Sequence, residues 1–151
     1  MKNLPIALIF LPAADIPTFV GEGQCDLGIT GWDQVQEHDA GVRAAHSEPD
    51  SVPASCEVVM ELGFGSCKLQ VQVPEKGQYA ATQDLIGKSI GTSFVNLTRQ
   101  HFAKLEGVAP SAKLQTKVVE LSGSVEAACA LGVADGIVDL VGKSACQTHV
   151  T

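Results

Sequence analysis

Two carboxylates are the side chains of this sequence best placed by type to handle a polyol or a cation. Glu126 stands in Leu121-Ser122-Gly123-Ser124-Val125-Glu126, where small residues would let the backbone approach a ligand. Asp139 stands inside the apolar run Gly136-Ile137-Val138-Asp139-Leu140-Val141. A carboxylate in such a run must be paired, hydrated or functional to offset its desolvation. Each has a plainer reading: Glu126 as a first-turn helix cap, and Asp139 as the partner of a nearby backbone N–H. Two further junctions share this form, Thr92-Ser93 before a helical stretch and Thr30-Gly31-Trp32-Asp33, where Asp33 could equally be a cap or turn residue. Strand-to-helix junctions gather anions because free N–H groups and the helix dipole meet there.

Other candidate motifs fail on spacing. Gly142-Lys143-Ser144 would need a glycine at 137 to end a P-loop and has Ile137, and Gly87-Lys88-Ser89 has Thr82 where glycine is required. Gly21-Glu22-Gly23 runs on to Asp26, so it is no dinucleotide fingerprint, and no G-x-S-x-G elbow occurs. His38, His46, His101 and His149 lack metal-ligand spacing. Cys25, Cys56, Cys67, Cys129 and Cys146 are odd in number and form no C-x-x-C pair, which reads as reduced, mostly buried thiols.

The elements that must carry these residues follow from apolar period and punctuation. Strands are expected at Ile6–Leu11, Asp26–Thr30, Cys56–Leu62, Cys67–Val73, Lys88–Ser93, Gln115–Leu121 and Gly136–Val141. Helices are expected from Asp15-Ile16-Pro17 to the glycines at 21–23, over Trp32–Glu37, Thr82–Ile86, Val95–Glu106 (closed by Gly107) and Ser124–Leu131. Residues 38–55 interrupt every apolar period with Asp, Gly, His, Ser and Pro, as a loop or insertion would. In Cys67–Val73 the residues Leu69, Val71 and Val73 share one face. The strand–helix alternation predicts parallel pairing by right-handed crossovers, an α/β fold.

Composition narrows the class. The chain has 151 residues and a formal charge of −7, with 10 Lys+Arg against 17 Asp+Glu and no basic cluster, which argues against nucleic acid as a partner. Met1-Lys2, Leu4–Leu11 and Ala13-Ala14 mimic a short signal peptide, but Pro5 and Pro12 bracket the run as a buried strand. No apolar run reaches the ~20 residues a spanning helix needs, so no membrane is expected.

Seven motifs occur in register: Leu4-Pro5-Ile6, Asp15-Ile16-Pro17, Asp26-Leu27-Gly28-Ile29-Thr30-Gly31, Phe64-Gly65-Ser66-Cys67-Lys68-Leu69, Thr92-Ser93-Phe94, Gly123-Ser124-Val125-Glu126 and Ala134-Asp135-Gly136-Ile137-Val138-Asp139-Leu140-Val141. Together they resemble the catalytic core of the ATP phosphoribosyltransferases, the first enzymes of histidine biosynthesis, over residues 4–37 and 57–141. The resemblance implies an incomplete two-lobed fold of the type II periplasmic-binding-protein kind. Residues 1–73 would be a partial first lobe with an insertion at 38–56, residues 74–141 a second lobe, and residues 142–151 a tail foreign to the family.

It further implies a cytoplasmic enzyme, a homo-oligomer in its parent form, that moves the phosphoribosyl group of PRPP to N1 of the ATP adenine with Mg²⁺ and releases pyrophosphate. By that likeness Ser124, Glu126 and Asp139 would serve PRPP, and Thr92, Ser93 and Phe94 the purine, with Phe94 stacking on it. Thr30, Gly31 and Asp33 would line the facing lobe. No catalytic or metal-ligating residue is assigned. The family's strand, helix and Gly-Arg-Leu motif have no counterpart before residue 4. Its phosphate loop has none after Val141, so the core is expected to be truncated at both ends, which argues against turnover by this chain alone. A reading from another class is a non-catalytic module that binds an anionic metabolite or joins full-length subunits.

Overall fold

A computed structural model describes residues 3–46, 54–75 and 77–142. Among them, a four-stranded sheet is built from β1 (Cys67–Gln72), β2 (Ser89–Thr92), β3 (Lys117–Glu120) and β4 (Gly136–Gly142) in the order β1-β4-β2-β3. β2 runs parallel to both β3 and β4, while β1 lies antiparallel along β4 from Cys67↔Gly142 to Gln72↔Ile137. The helices are α1 (Ile16–Gly21), α2 (Trp32–Ala44), α3 (Val95–Glu106) and α4 (Ala127–Ala130), with a 3₁₀ turn at Thr82–Leu85.

Strand alternation divides the core between two sheet faces. Ile90 of β2 and Val138 of β4 pack with Leu85 and Phe102, and Leu69, Val71 and Val73 close the cluster, so α3 covers this face. Ile137, one residue before Val138, packs with Val125, Ala128 and Ala134, so α4 covers the other. Gly91 makes the α4 approach possible: a Cβ there would lie 2.9 Å from Leu121 Cδ1 and 3.4 Å from the Ala128 and Ala134 Cβ atoms. Gly107, at φ 68°, closes α3 in the left-handed conformation that glycine adopts freely.

The second half of the sequence folds as its pattern predicts, with α3 at its expected bounds, β4 one residue longer and other ends trimmed by a residue or two. The helix expected over Ser124–Leu131 contracts to the single turn Ala127–Ala130.

The first half differs. Ile6–Leu11, Asp26–Thr30 and Cys56–Leu62 form no strand, and their apolar side chains face solvent, among them Phe10 at 88 % exposure, Ile29 at 69 % and Val59 at 73 %. A strand exists only through a neighbouring strand that takes its N–H and C=O groups, and among the described residues no strand pairs with these three segments. The parallel pairing expected there is likewise not formed. Residues 67–72, expected as a strand, form β1 and pair with β4.

The loop expected from 38 is helical to Ala44. Its apparent breakers serve packing. Asp39 is buried and accepts from both the N–H and the hydroxyl of Ser55, while a Cβ on Gly41 would come within 2.8 Å of Asn96 Nδ2. Residues 47–53 and the tail from 143, Cys146 and His149 included, lie outside the described residues. The four described cysteines are free thiols, and none is fully buried as expected: Cys67 is exposed, and Cys25, Cys56 and Cys129 are half-buried.

Candidate functional site

Because β2, β3 and β4 are parallel, their carboxyl ends share one edge. Thr92 pairs with both Glu120 and Val138, so Ser93 and Leu121, the next residues of β2 and β3, leave the sheet level with Asp139, where β4 runs on beside β1 to Gly142. The Leu121 N–H donates to the Thr92 carbonyl at 2.9 Å, tying these two exits together. The chain leaving β2 turns to α3 on one face, and the chain leaving β3 turns to α4 on the other. A crevice where neighbouring connections part is the usual ligand position of an open α/β sheet.

Four sequence candidates lie at this edge. Ser93 is exposed in the β2–α3 turn, and Ser124 and Glu126 are exposed in the β3–α4 turn. Glu126 occupies the N-cap position of α4 without making a side-chain cap bond, so the plain capping reading does not account for it. Asp139 is half-buried, and alternation places it on the α4 face with Ile137. Its Oδ1 accepts from the Leu140 N–H at 2.8 Å, a local pairing that leaves the other oxygen available.

Thr92 and Phe94 are built differently from the expectation. Thr92 is fully buried, and its hydroxyl donates to the Val138 carbonyl at 2.7 Å and accepts from the Phe94 N–H at 2.9 Å. The Thr98 hydroxyl also donates to it, at 3.4 Å. The Phe94 ring is 3 % exposed and belongs to the core, so it offers no face for stacking. Of the three residues expected near a purine, Ser93 alone is open to one.

The third group sits at the head of α2. Gly31 is its N-cap in extended conformation, and Asp33 lies in its first turn, where a carboxylate complements the helix dipole. Asp33 Oδ2 accepts from the Gln34 side chain at 2.8 Å, and the Thr30 hydroxyl donates to the Ala13 carbonyl at 2.9 Å. Between α2 and the β2 exit lies a cavity of about 400 Å³ reached by Gln34, His38, Ser93 and Asn96.

Sequence reasoning did not find two polar centres. Glu37 of α2 accepts from two backbone N–H groups of α3, a contact between residues far apart in sequence with no local signal. At the opposite, amino edge of the sheet, Asp135 accepts from the Ser89 N–H at 2.9 Å and the Tyr79 hydroxyl at 3.0 Å. Those bonds, with Lys88 nearby, hold its carboxyl below the usual range despite some burial. Burial, and secondarily Asp135, pushes the Cys129 thiol up, which makes it a poor nucleophile. Tyr79, Cys129 and Asp135 border a cavity of about 530 Å³. An Asp directly before a strand, in Ala134-Asp135-Gly136, was the available signal.

No three His, Cys, Asp or Glu side chains converge as a metal cage among the described residues. None of the described helices is long and apolar enough to cross a membrane.

The family described as HisG: ATP phosphoribosyltransferase matches residues 12–145. The chain belongs to this family. It is 58 % identical over 139 residues to the ATP phosphoribosyltransferase of Kluyveromyces lactis and 55 % identical over 139 residues to that of Saccharomyces cerevisiae. In each case the match covers 92 % of this chain and 42 % of the relative, so the chain spans less than half the length of these curated proteins. Among solved structures it resembles the Thermotoga maritima ATP phosphoribosyl transferase (HisG:HisZ) complex, with a TM-score of 0.60 at 23 % identity over 88 % of this chain and 54 % of that one. The α/β architecture is thus part of the periplasmic-binding-protein-like fold of this family, as its motifs implied.

Proposed function

We propose that the chain carries a phosphoribosyl-binding portion of an ATP phosphoribosyltransferase core, centred on the carboxyl edge of β2, β3 and β4. The supporting observation is the coincidence of family membership with that edge: Ser93, Ser124 and Glu126 lie in the turns that leave β2 and β3, and Asp139 stands in the adjacent β4 one residue past its pairing with β2. In the reaction the bond from ribose C1 to the pyrophosphate oxygen breaks as N1 of the ATP adenine attacks C1. The ribose becomes cation-like at C1, so anionic acceptors and fixed geometry lower the barrier.

Glu126 and Asp139 would accept hydrogen bonds from the ribose hydroxyls and offset the developing charge. Ser124 would support the same ligand from the β3–α4 turn, and Ser93 would border the purine. Thr30, Gly31 and Asp33 would form the opposite wall. Thr92 and Phe94 would act from beneath, fixing the turn that carries Ser93. The division into lobes at 1–73 and 74–141 belongs to the same proposal, as do a cytoplasmic location and a homo-oligomeric parent enzyme.

Mg²⁺ neutralises the diphosphate of PRPP when bound. Carboxylate oxygens suit this hard cation, and Glu126 or Asp139 would be its protein contact, the remaining positions falling to substrate oxygens and water.

The test is incubation of the chain with ATP, PRPP and Mg²⁺, with chromatography for phosphoribosyl-ATP and pyrophosphate, beside equilibrium binding of PRPP. PRPP binding lost in Glu126→Ala and Asp139→Ala supports the reading, whether or not product forms. Binding that both variants retain overturns the assignment of the site.

A further inference from the structure

The first N–H groups of a helix have no acceptor within it, and the N-cap residue of α3, Phe94, supplies no side-chain bond. The acceptor comes from another helix. Glu37, in the middle of α2, takes the Asn96 N–H on Oε1 at 2.7 Å and the Leu97 N–H on Oε2 at 2.9 Å. Both oxygens of one carboxylate are engaged by successive amides, which fixes direction as well as distance. Gly41, four residues on and so on the same face of α2, permits the close approach: a Cβ there would meet Asn96 Nδ2 at 2.8 Å.

The contact has a position of interest. The head of α2 carries Gly31 and Asp33, and the start of α3 follows Ser93 directly. The cavity of about 400 Å³ lies between them, with Glu37 and Ser93 both on its wall. We propose that Glu37 is a positioning residue: its carboxylate clasps α2 to the first turn of α3 and sets the gap between the Thr30–Asp33 turn and the β2 exit. The clasp stands on geometry alone. Its consequence for ligand binding rests on the functional reading above.

A simple helix cap would add stability without placing anything, and the two roles separate experimentally. The variants are Glu37→Ala, Glu37→Gln (which keeps one acceptor oxygen) and Glu37→Asp (one methylene shorter), each in the whole chain. Site-resolved amide exchange is followed at Asn96 and Leu97 and across β2 and β4. Fluorescence quenching of Trp32, the only tryptophan, reports on the head of α2.

The clasp predicts that Glu37→Ala speeds exchange at Asn96 and Leu97 by about tenfold to a hundredfold, as loss of bonds to a charged group should. Quenching of Trp32 changes, while protection of β2 and β4 holds. Glu37→Asp follows alanine, and Glu37→Gln falls between. If alanine does not fold, Glu37→Gln carries the same comparison. Unchanged exchange at the two amides overturns the clasp. Uniform loss of protection through β2 and β4, with Trp32 unmoved, reduces Glu37 to a stabilising cap and overturns the positioning role. These readouts need no ligand, so failure of PRPP to bind the native chain would refute the functional reading and leave the clasp standing.

Discussion

Replacing Thr92 by valine or by serine separates two roles for a hydroxyl at the end of β2. If the hydroxyl served a ligand, valine would keep the shape of threonine and cost the free protein little. In this structure the group is fully buried, donating to the Val138 carbonyl at 2.7 Å and accepting from the Phe94 N–H at 2.9 Å. Valine removes these two bonds and the longer one from the Thr98 hydroxyl, and leaves at least the Phe94 N–H and the Val138 carbonyl without that buried partner. Each such group costs about 1–3 kcal/mol, so Thr92→Val should lose about 2–6 kcal/mol. Serine retains the hydroxyl and loses one buried methyl, for about 1 kcal/mol. Urea unfolding followed by far-UV circular dichroism gives both differences from the shift in midpoint at constant slope. Valine should therefore be the less stable of the two by at least ~1 kcal/mol. A valine variant as stable as the serine variant would refute the latch and return Thr92 to the list of ligand-contacting groups.

Asp135, held below its ordinary value of 3.8 by the Ser89 N–H and the Tyr79 hydroxyl, contributes stability that is present above that value and lost as pH falls through its folded pKa. Acid unfolding curves should show Asp135→Asn removing this dependence below about pH 4. Burial, and then Lys104, lowers the His101 pKa from 6.5, so the folded state disfavours the proton the unfolded chain accepts. Stability should fall as pH drops below that value, and His101→Gln should flatten the slope in thermal melts between about pH 5 and 7. Phe10→Ser and Val59→Thr, at exposed positions, should change stability by less than about 0.5 kcal/mol while lowering dye binding to exposed apolar surface. A larger loss would mean these side chains are covered.

The sequence pattern described the second half of the chain well because its elements are nearly self-contained. Val95–Glu106 carries its own apolar stripe and its own stop at Gly107, and β2, β3 and β4 find one another through short crossovers. In the first half, Ile6–Leu11 and Asp26–Thr30 have equally good strand patterns. Pattern, however, specifies which residues would turn inward and not whether a neighbouring strand is there to receive them. The sequence pattern ends the second helix at Glu37 because Asp39 and Gly41 look like breakers in isolation, and only the tertiary contacts with Ser55 and Asn96 explain why α2 runs on. The site divided the same way. Glu126 and Asp139 were visible as carboxylates in unusual local settings. The burial of Thr92 and Phe94, and the reach of Glu37 to α3, depend on partners far away in sequence.

The central claim, that the carboxyl edge of β2, β3 and β4 holds the phosphoribosyl donor, is tested most directly by thermal melts of this chain with PRPP and Mg²⁺ over a range of concentrations. A ligand that binds only the folded state at a hundred times its dissociation constant adds about 2.7 kcal/mol. For a chain of this size that raises the midpoint by several degrees, at roughly 2–4 °C per kcal/mol. The account predicts a midpoint that climbs with PRPP in the native chain and stays still in Glu126→Ala and Asp139→Ala. A cooperative melt that PRPP leaves unmoved, or one that it raises equally in both variants, would contradict it.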